Sequence, residues 1–142
     1  MIEQCQDNNV YLEILDKLKY VKNCKITSNI LYTYMISEQI DKSSMTLVSY
    51  DKGLMNGCVV VKIVKDDYGE SSFFMTFIWI NSHYPNLLKE FLEYGDKRAK
   101  ELNVKKIMFS TGRKESVVER RMGKYGFSKT CSTYTKEVKE VI

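Results

Sequence analysis

The chain has 142 residues, 44% hydrophobic and 28% charged, with a formal net charge of +4 and a single histidine. That length suits one domain, residues 1–142, which buries roughly two thirds of its unfolded surface, and the composition excludes a disordered chain. No apolar run reaches the ~18 residues of a membrane span, so no membrane partner is expected. The start, Met1-Ile2-Glu3-Gln4-Cys5, is not a signal peptide, and a cytoplasmic protein is expected. Nucleic acid is not indicated, because its binders concentrate basic residues on one face, whereas a mild positive balance is compatible with any anionic ligand. Cys5, Cys24, Cys58 and Cys131 are widely separated; with one histidine they predict reduced thiols and no metal site.

In chain order, the polar residues up to about Asn9 are expected to fray. Tyr11, Ile14, Leu15 and Leu18, spaced i, i+3, i+4 and i+7, predict a helix over 10–18, capped by Asn8 or Asn9. A second helix is predicted over 29–40, capped by Ser28, with Ile30, Tyr34 and Ile40 on its apolar face together with Met35 or Ile36. Strands follow over 45–50 and 54–64, joined by Asp51-Lys52-Gly53 in a hairpin pattern. A turn at 66–70 leads to a strand over 72–80, whose apolar residues on both faces predict a central strand. Phe73, Phe74, Phe77 and Trp79 read as core.

The clearest element is a helix over 87–102. Leu88, Phe91, Leu92, Gly95, Ala99 and Leu102 form one stripe, and Glu90, Glu93, Asp96, Lys97, Lys100 and Glu101 face water. Pro85 stands where this helix should begin. A strand over 105–110 completes a right-handed strand–helix–strand unit. A loop, a helix over 115–125 stopped by Gly126, and a last strand over 128–138 follow. The fold class is therefore α+β, a mixed, mostly antiparallel sheet with one parallel crossover, flanked by helices.

This order of elements, with residues 97–107 (KRAKELNVKKI) and Lys124-Tyr125-Gly126-Phe127, resembles the GNAT acyl-CoA N-acyltransferases over roughly residues 45–138. The resemblance implies an α/β sandwich with a splay between the fourth and fifth strands, acetyl-CoA as donor, and a small-molecule or protein amine as acceptor. It implies that main-chain groups of Ile78, Trp79 and Ile80 pair with the pantetheine arm. The cofactor's pyrophosphate would then meet a helix N-terminus, here at His83-Tyr84-Pro85-Asn86-Leu87-Leu88. That stretch has none of the family's loop glycines, and Leu88 puts bulk at its last small position. Arg113 and Lys114, with Arg120, Arg121 and Lys124 beyond them, add positive charge toward the phosphates. The family's proton-donor tyrosine falls on Met122 and its loop asparagine on Glu115; Tyr125 is the nearest tyrosine. His83 suits a proton carrier by its titration range, and Glu70, Glu115 and Glu119 are all candidate bases. The lost glycines and Met122 also fit a second reading, a non-catalytic GNAT-like binding module. Small Lys-, Asn- and Tyr-rich chains of this kind occur in phages, where an accessory or host-directed role is plausible. A homodimer is compatible with either reading.

Overall fold

The computed structural model describes residues 1–21, 24–110, 115–129 and 136–138. They belong to two compact units, Met1–Gly112 and Arg113–Ile142, taken separately below.

The first unit holds a five-stranded sheet in the order β1-β2-β3-β4-β5. Strands β2 (Ser44–Asp51), β3 (Leu54–Lys65) and β4 (Ser71–Ile80) form the expected antiparallel meander. The β2–β3 loop is two residues, with Lys52 at φ 52° and Gly53 at φ 79°. Both positive angles are what a tight hairpin needs to match the strand twist. Helix α3 (Leu87–Glu101) then crosses over to β5 (Lys106–Phe109), which pairs with β4 in parallel from Ser72↔Lys106 to Met75↔Phe109.

The start of the chain differs from expectation. Ile2–Gln4 is not frayed but forms β1, antiparallel to β2 at the sheet edge. The reason is a buried carboxylate on α2 (Ser28–Ile40) that sequence reading missed. Glu38, 1% exposed, accepts from Gln4 Nε2 at 3.0 Å, from Tyr11 Oη at 2.7 Å and from the Thr46 amide at 2.8 Å. Thr46 lies just past the end of the β1 pairing, so the carboxylate answers an N–H that β1 no longer reaches. It also ties α1 (Asn8–Asp16) to the same point.

Helix α1 is capped by Asp7, whose side chain accepts from the Asn9 amide, and not by Asn8 or Asn9; α2 is capped by Thr27 and not Ser28. The α2 face is also a correction: Leu31, Met35 and Glu38 are buried, whereas Ile30 is 46% and Ile40 75% exposed. The apolar stripe carries a charge at its third position, which a purely hydrophobic count passes over.

The faces of the sheet carry separate cores. One packs Tyr11, Ile14, Leu31 and Met35 of α1 and α2 against Val48, Cys58, Val60 and Phe77. The other sets α3 against Leu47, Val59, Val61, Phe73 and Met75, around a small apolar gap. Residues 73, 75 and 77 would share a face of a regular strand, yet Phe77 belongs to the first core and Met75 to the second. The register explains it: Val60 faces Phe77 while Val61 faces Met75, leaving Thr76 as an extra residue in a β-bulge. The Thr76 hydroxyl donates to the Val60 carbonyl at 3.0 Å. So β4 is not uniformly apolar-covered; burial alternates along it, and the bulge turns its last residues over.

Helix α3 buries Leu87, Phe91, Leu92 and Ala99. Leu102, placed on the stripe by spacing, is 45% exposed because the helix has ended. The Val104 amide bonds Ala99 O at 2.8 Å and the Asn103 amide bonds Lys100 O at 3.2 Å, with Asn103 at φ 55°. This is the paired closure of a left-handed helix C-cap.

In the second unit, α4 (Glu115–Met122) passes into a 3-10 turn, Gly123–Tyr125. Gly126 at φ 91° ends it, with the Gly126 amide on Gly123 O at 3.0 Å and the Phe127 amide on Met122 O at 3.4 Å. The same C-cap geometry thus accounts for the Gly126-Phe127 signature. The predicted last strand falls largely on residues 130–135, outside the described residues.

Candidate functional site

Pairing between β4 and β5 stops at Met75↔Phe109, yet β4 runs on to Ile80, held by β3 through Gly57↔Ile80. Residues 76–80 therefore have a strand partner on one side only, among the described residues. Ile78, Trp79 and Ile80 all lie on this free edge. Unpaired main-chain donors and acceptors along a strand are a template for another extended chain.

The connection from β4 to α3 is pinned at Asn81. Its amide donates to Asn56 O at 2.9 Å, its carbonyl accepts from the Tyr84 amide at 3.0 Å, and its Oδ1 accepts from the His83 amide at 3.0 Å. Tyr84 extends the anchor by donating its hydroxyl to Asp51 Oδ2, which holds that hydroxyl's pKa above its ordinary value. Tyr84 is thus a loop anchor. His83 is exposed, and its imidazole has no hydrogen-bond partner among the described residues.

Helix α3 starts two residues later than the proline rule suggests: Asn86 occupies the cap, with no side-chain cap bond, and Pro85 precedes it. The Leu87 amide is already bonded to Tyr84 O at 3.1 Å, and the first bond back into the helix runs from Glu90 to Asn86 O at 3.2 Å. That leaves the Leu88 and Lys89 amides as free donors of the first turn, at the positive end of the helix dipole. Leu88 does not obstruct them, because its side chain lines the apolar gap under α3. Leu87 is buried over Gly57, where an added Cβ would sit 2.7 Å from Leu87 Cδ2. That close approach sets the helix start directly above the end of β4.

Of the other expected site residues, Arg113 and Lys114 lie outside the described residues. Glu115 opens α4, and Tyr125 closes the 3-10 turn with Lys124 Nζ 5.1 Å from its ring centroid; both belong to the second unit. Among the described residues no group of three His, Cys, Asp or Glu could hold a metal, and no helix is long and apolar enough to cross a membrane. Burial pushes the Cys58 thiol up to about 12, which makes it a packing residue and not a nucleophile.

A cluster on the α1 face of the sheet was not foreseen. The ring of Trp79, turned to that face by the bulge, lies 5.9 Å from the Tyr20 ring and 5.0 Å from Lys17 Nζ. Tyr50 donates to Glu13 Oε1 at 3.3 Å beside them. Burial first and Glu13 second raise the Tyr50 hydroxyl to about 12. The one-residue change of phase in β4 that assembles this cluster carries no glycine or proline to announce it.

This five-stranded arrangement with a single parallel crossover is the fold of the GNAT N-acetyltransferases. The aminoglycoside N-acetyltransferase AAC(6')-Iy, in complex with the bisubstrate analogue CoA-S-monomethyl-acetylneamine, superposes at TM-score 0.76 with 10% identity, over 98% of this chain and 97% of that one. An aminoglycoside antibiotic 6'-N-acetyltransferase from Acinetobacter haemolyticus gives 0.75 at 11% identity, over 99% of both chains. Ribosomal-protein-alanine N-acetyltransferase from Brucella melitensis biovar Abortus 2308 gives 0.71 at 13%, over 97% of this chain and 99% of that one. No family model matches the sequence, and no curated protein matches it.

Proposed function

We propose that this protein is an N-acyltransferase that moves an acetyl group from acetyl-CoA to an amine. The observation that carries the reading is the free edge of β4 over residues 76–80, leading within a few residues to the unpaired Leu88 and Lys89 amides. An extended pantetheine arm would hydrogen-bond along the edge, and a pyrophosphate would accept from the two amides, the chemistry that a helix start favours. The residues present fit this group without the usual glycines, since Leu88 turns inward and leaves the amides clear.

Acetyl-CoA supplies an activated thioester carbonyl. The amine nitrogen forms the new C–N bond, the C–S bond breaks, and the nitrogen's proton leaves while the thiolate is protonated. His83, exposed beside the end of β4 and without a side-chain partner among the described residues, is assigned the proton taken from the ammonium. The resemblance puts the proton-donor position on Met122, which cannot donate, so Tyr125, the nearest tyrosine, is assigned as the proton donor and Glu115 as a second candidate base.

The test is calorimetric titration with acetyl-CoA together with release of free thiol in the presence of mixed primary amines. Binding with amine-dependent release is expected, and His83→Ala and Tyr125→Phe should each slow release while leaving binding intact. Binding without release would leave a GNAT-like binding module, and neither would overturn the reading.

A further inference from the structure

Trp79 is the residue on which the open edge of β4 and the α1 face of the sheet meet. Its main chain lies on the free edge, and its side chain is half-buried beneath the 3-10 turn Lys17–Tyr20 that follows α1. The turn lays two groups against the indole: the ammonium of Lys17 at 5.0 Å from the ring centroid and the Tyr20 ring at 5.9 Å, tilted by 30°. Tyr20 is 57% exposed, so the pair opens to solvent. Lys17 has no carboxylate partner among the described residues; Asp16 is taken by Lys19 at 3.1 Å. One helical turn before Lys17, Glu13 is held through Oε1 by Tyr50, and its Oε2 has no hydrogen-bond partner among the described residues. Two aromatic rings, of which Tyr20 also carries Lys19 Nζ at 5.2 Å from its centroid, and a four-carbon chain ending in an ammonium are therefore gathered at the end of β4, with a carboxylate one helical turn before Lys17.

We propose that Trp79, Tyr20 and Glu13 form a binding site for a linear alkylammonium, and that Lys17 occupies this place in cis until such a chain displaces it. An indole face attracts a cation through its quadrupole, and the methylene stem beneath gains apolar contact. Lys17 shows that the place takes an ammonium at the end of a flexible alkyl chain, the chemistry shared by a protein lysine side chain and a free diamine. As the acceptor site the proposal rests on the acyltransferase reading; as a binding site it does not.

The chain has one tryptophan, so Trp79 emission reports the site directly, without acetyl-CoA. Titration with n-butylamine, cadaverine and Nα-acetyl-lysine N-methylamide should change that emission saturably, and n-butanol should not. Lys17→Met, which keeps the stem and removes the charge, should tighten amine binding about threefold. Tyr20→Ala should weaken it, and Lys65→Met at the opposite end of β3 should leave it unchanged. Tighter binding of the lysine amide than of cadaverine assigns the site to protein lysines, and the reverse order assigns it to free diamines. A flat emission response in both wild type and Lys17→Met, or an equal response to n-butanol, overturns the proposal. Thiol release with other amines alongside a flat response leaves the acyltransferase reading standing without this site. Saturable binding without thiol release does the opposite.

Discussion

At the scale of single residues, Glu38 does most to decide how the chain is held. A carboxylate that is 1% exposed, with no ion pair to it among the described residues, survives burial because three donors converge on its two oxygens. Those donors come from β1, α1 and β2, so one side chain on α2 joins four elements. Hydrogen bonds to a charged group contribute about 1.5–3 kcal/mol, and an orphaned buried donor costs about as much. Glu38→Leu removes both acceptor oxygens and orphans the three donors, and should cost at least about 2 kcal/mol. Its melting temperature should fall by roughly 5–10 °C, read by thermal denaturation against Glu90→Leu, at an exposed position on α3. Equal melting of the two variants would refute the role given to Glu38. Sequence reading missed this residue because a glutamate inside a helix is ordinarily solvated; only the convergence of Gln4, Tyr11 and Thr46 makes it a core residue.

At the scale of elements, α3 and β4 make contrasting demands. The stripe on α3 was legible from spacing, and Phe91→Ala should cost roughly 3–5 kcal/mol as a large-to-small change against the Gly57 surface. Gly95 sits on the same face beside the apolar gap, where an added Cβ would lie 3.6 Å from Ile107 Cδ1, an ordinary contact. Gly95→Ala should therefore stabilise by up to about 1 kcal/mol through helix propensity and added packing, measured by urea denaturation at unchanged slope. On β4 the controlling feature is the single extra residue Thr76. Deleting Thr76 should close the bulge and make Met75 and Phe77 successive residues opposite Val61 and Val60, so that Phe77 and Trp79 keep the face toward α1. We expect native-like Trp79 emission, with the Trp79–Tyr20 contact intact. A red-shifted emission would show that the residues after the bulge had turned toward α3, against this register.

At the scale of the whole molecule, buried weak acids set the alkaline limit. Burial raises Cys58 from 9.0 to about 12, and burial with Glu13 raises Tyr50 from 10.0 to about 12; Tyr11 is raised by burial and by Glu38. In the unfolded chain these groups lose protons at their ordinary values, whereas the folded chain retains them. The unfolded state therefore binds fewer protons, and stability falls with rising pH. The contribution is fully present below pH 9, and the loss runs from about pH 9 to about pH 12. Cys58 alone accounts for about 1.4 kcal/mol per pH unit within that window. Cys58→Val should remove the earliest part of the decline, between the thiol and phenol ranges, when melting temperature is followed against pH. An identical alkaline profile in that variant would refute the assignment.

What the amino-acid order determined by itself is the succession of elements from β2 to α4, because periodicity, the Lys52-Gly53 turn and the Gly126 stop are local properties of short segments. The same locality explains why the GNAT resemblance was visible through Gly126-Phe127, a helix cap whose geometry is written within six residues. Tertiary structure alone decided three things. The N-terminal residues become β1 only because Glu38, 34 positions away from Gln4, offers a buried acceptor. The two faces of β4 exchange roles at Thr76 because strand register is fixed by β3 and not by the β4 sequence. Lys17, Tyr20, Glu13 and Trp79 meet because that exchange points the indole at α1, and contact between segments some sixty residues apart leaves no periodic trace in either one.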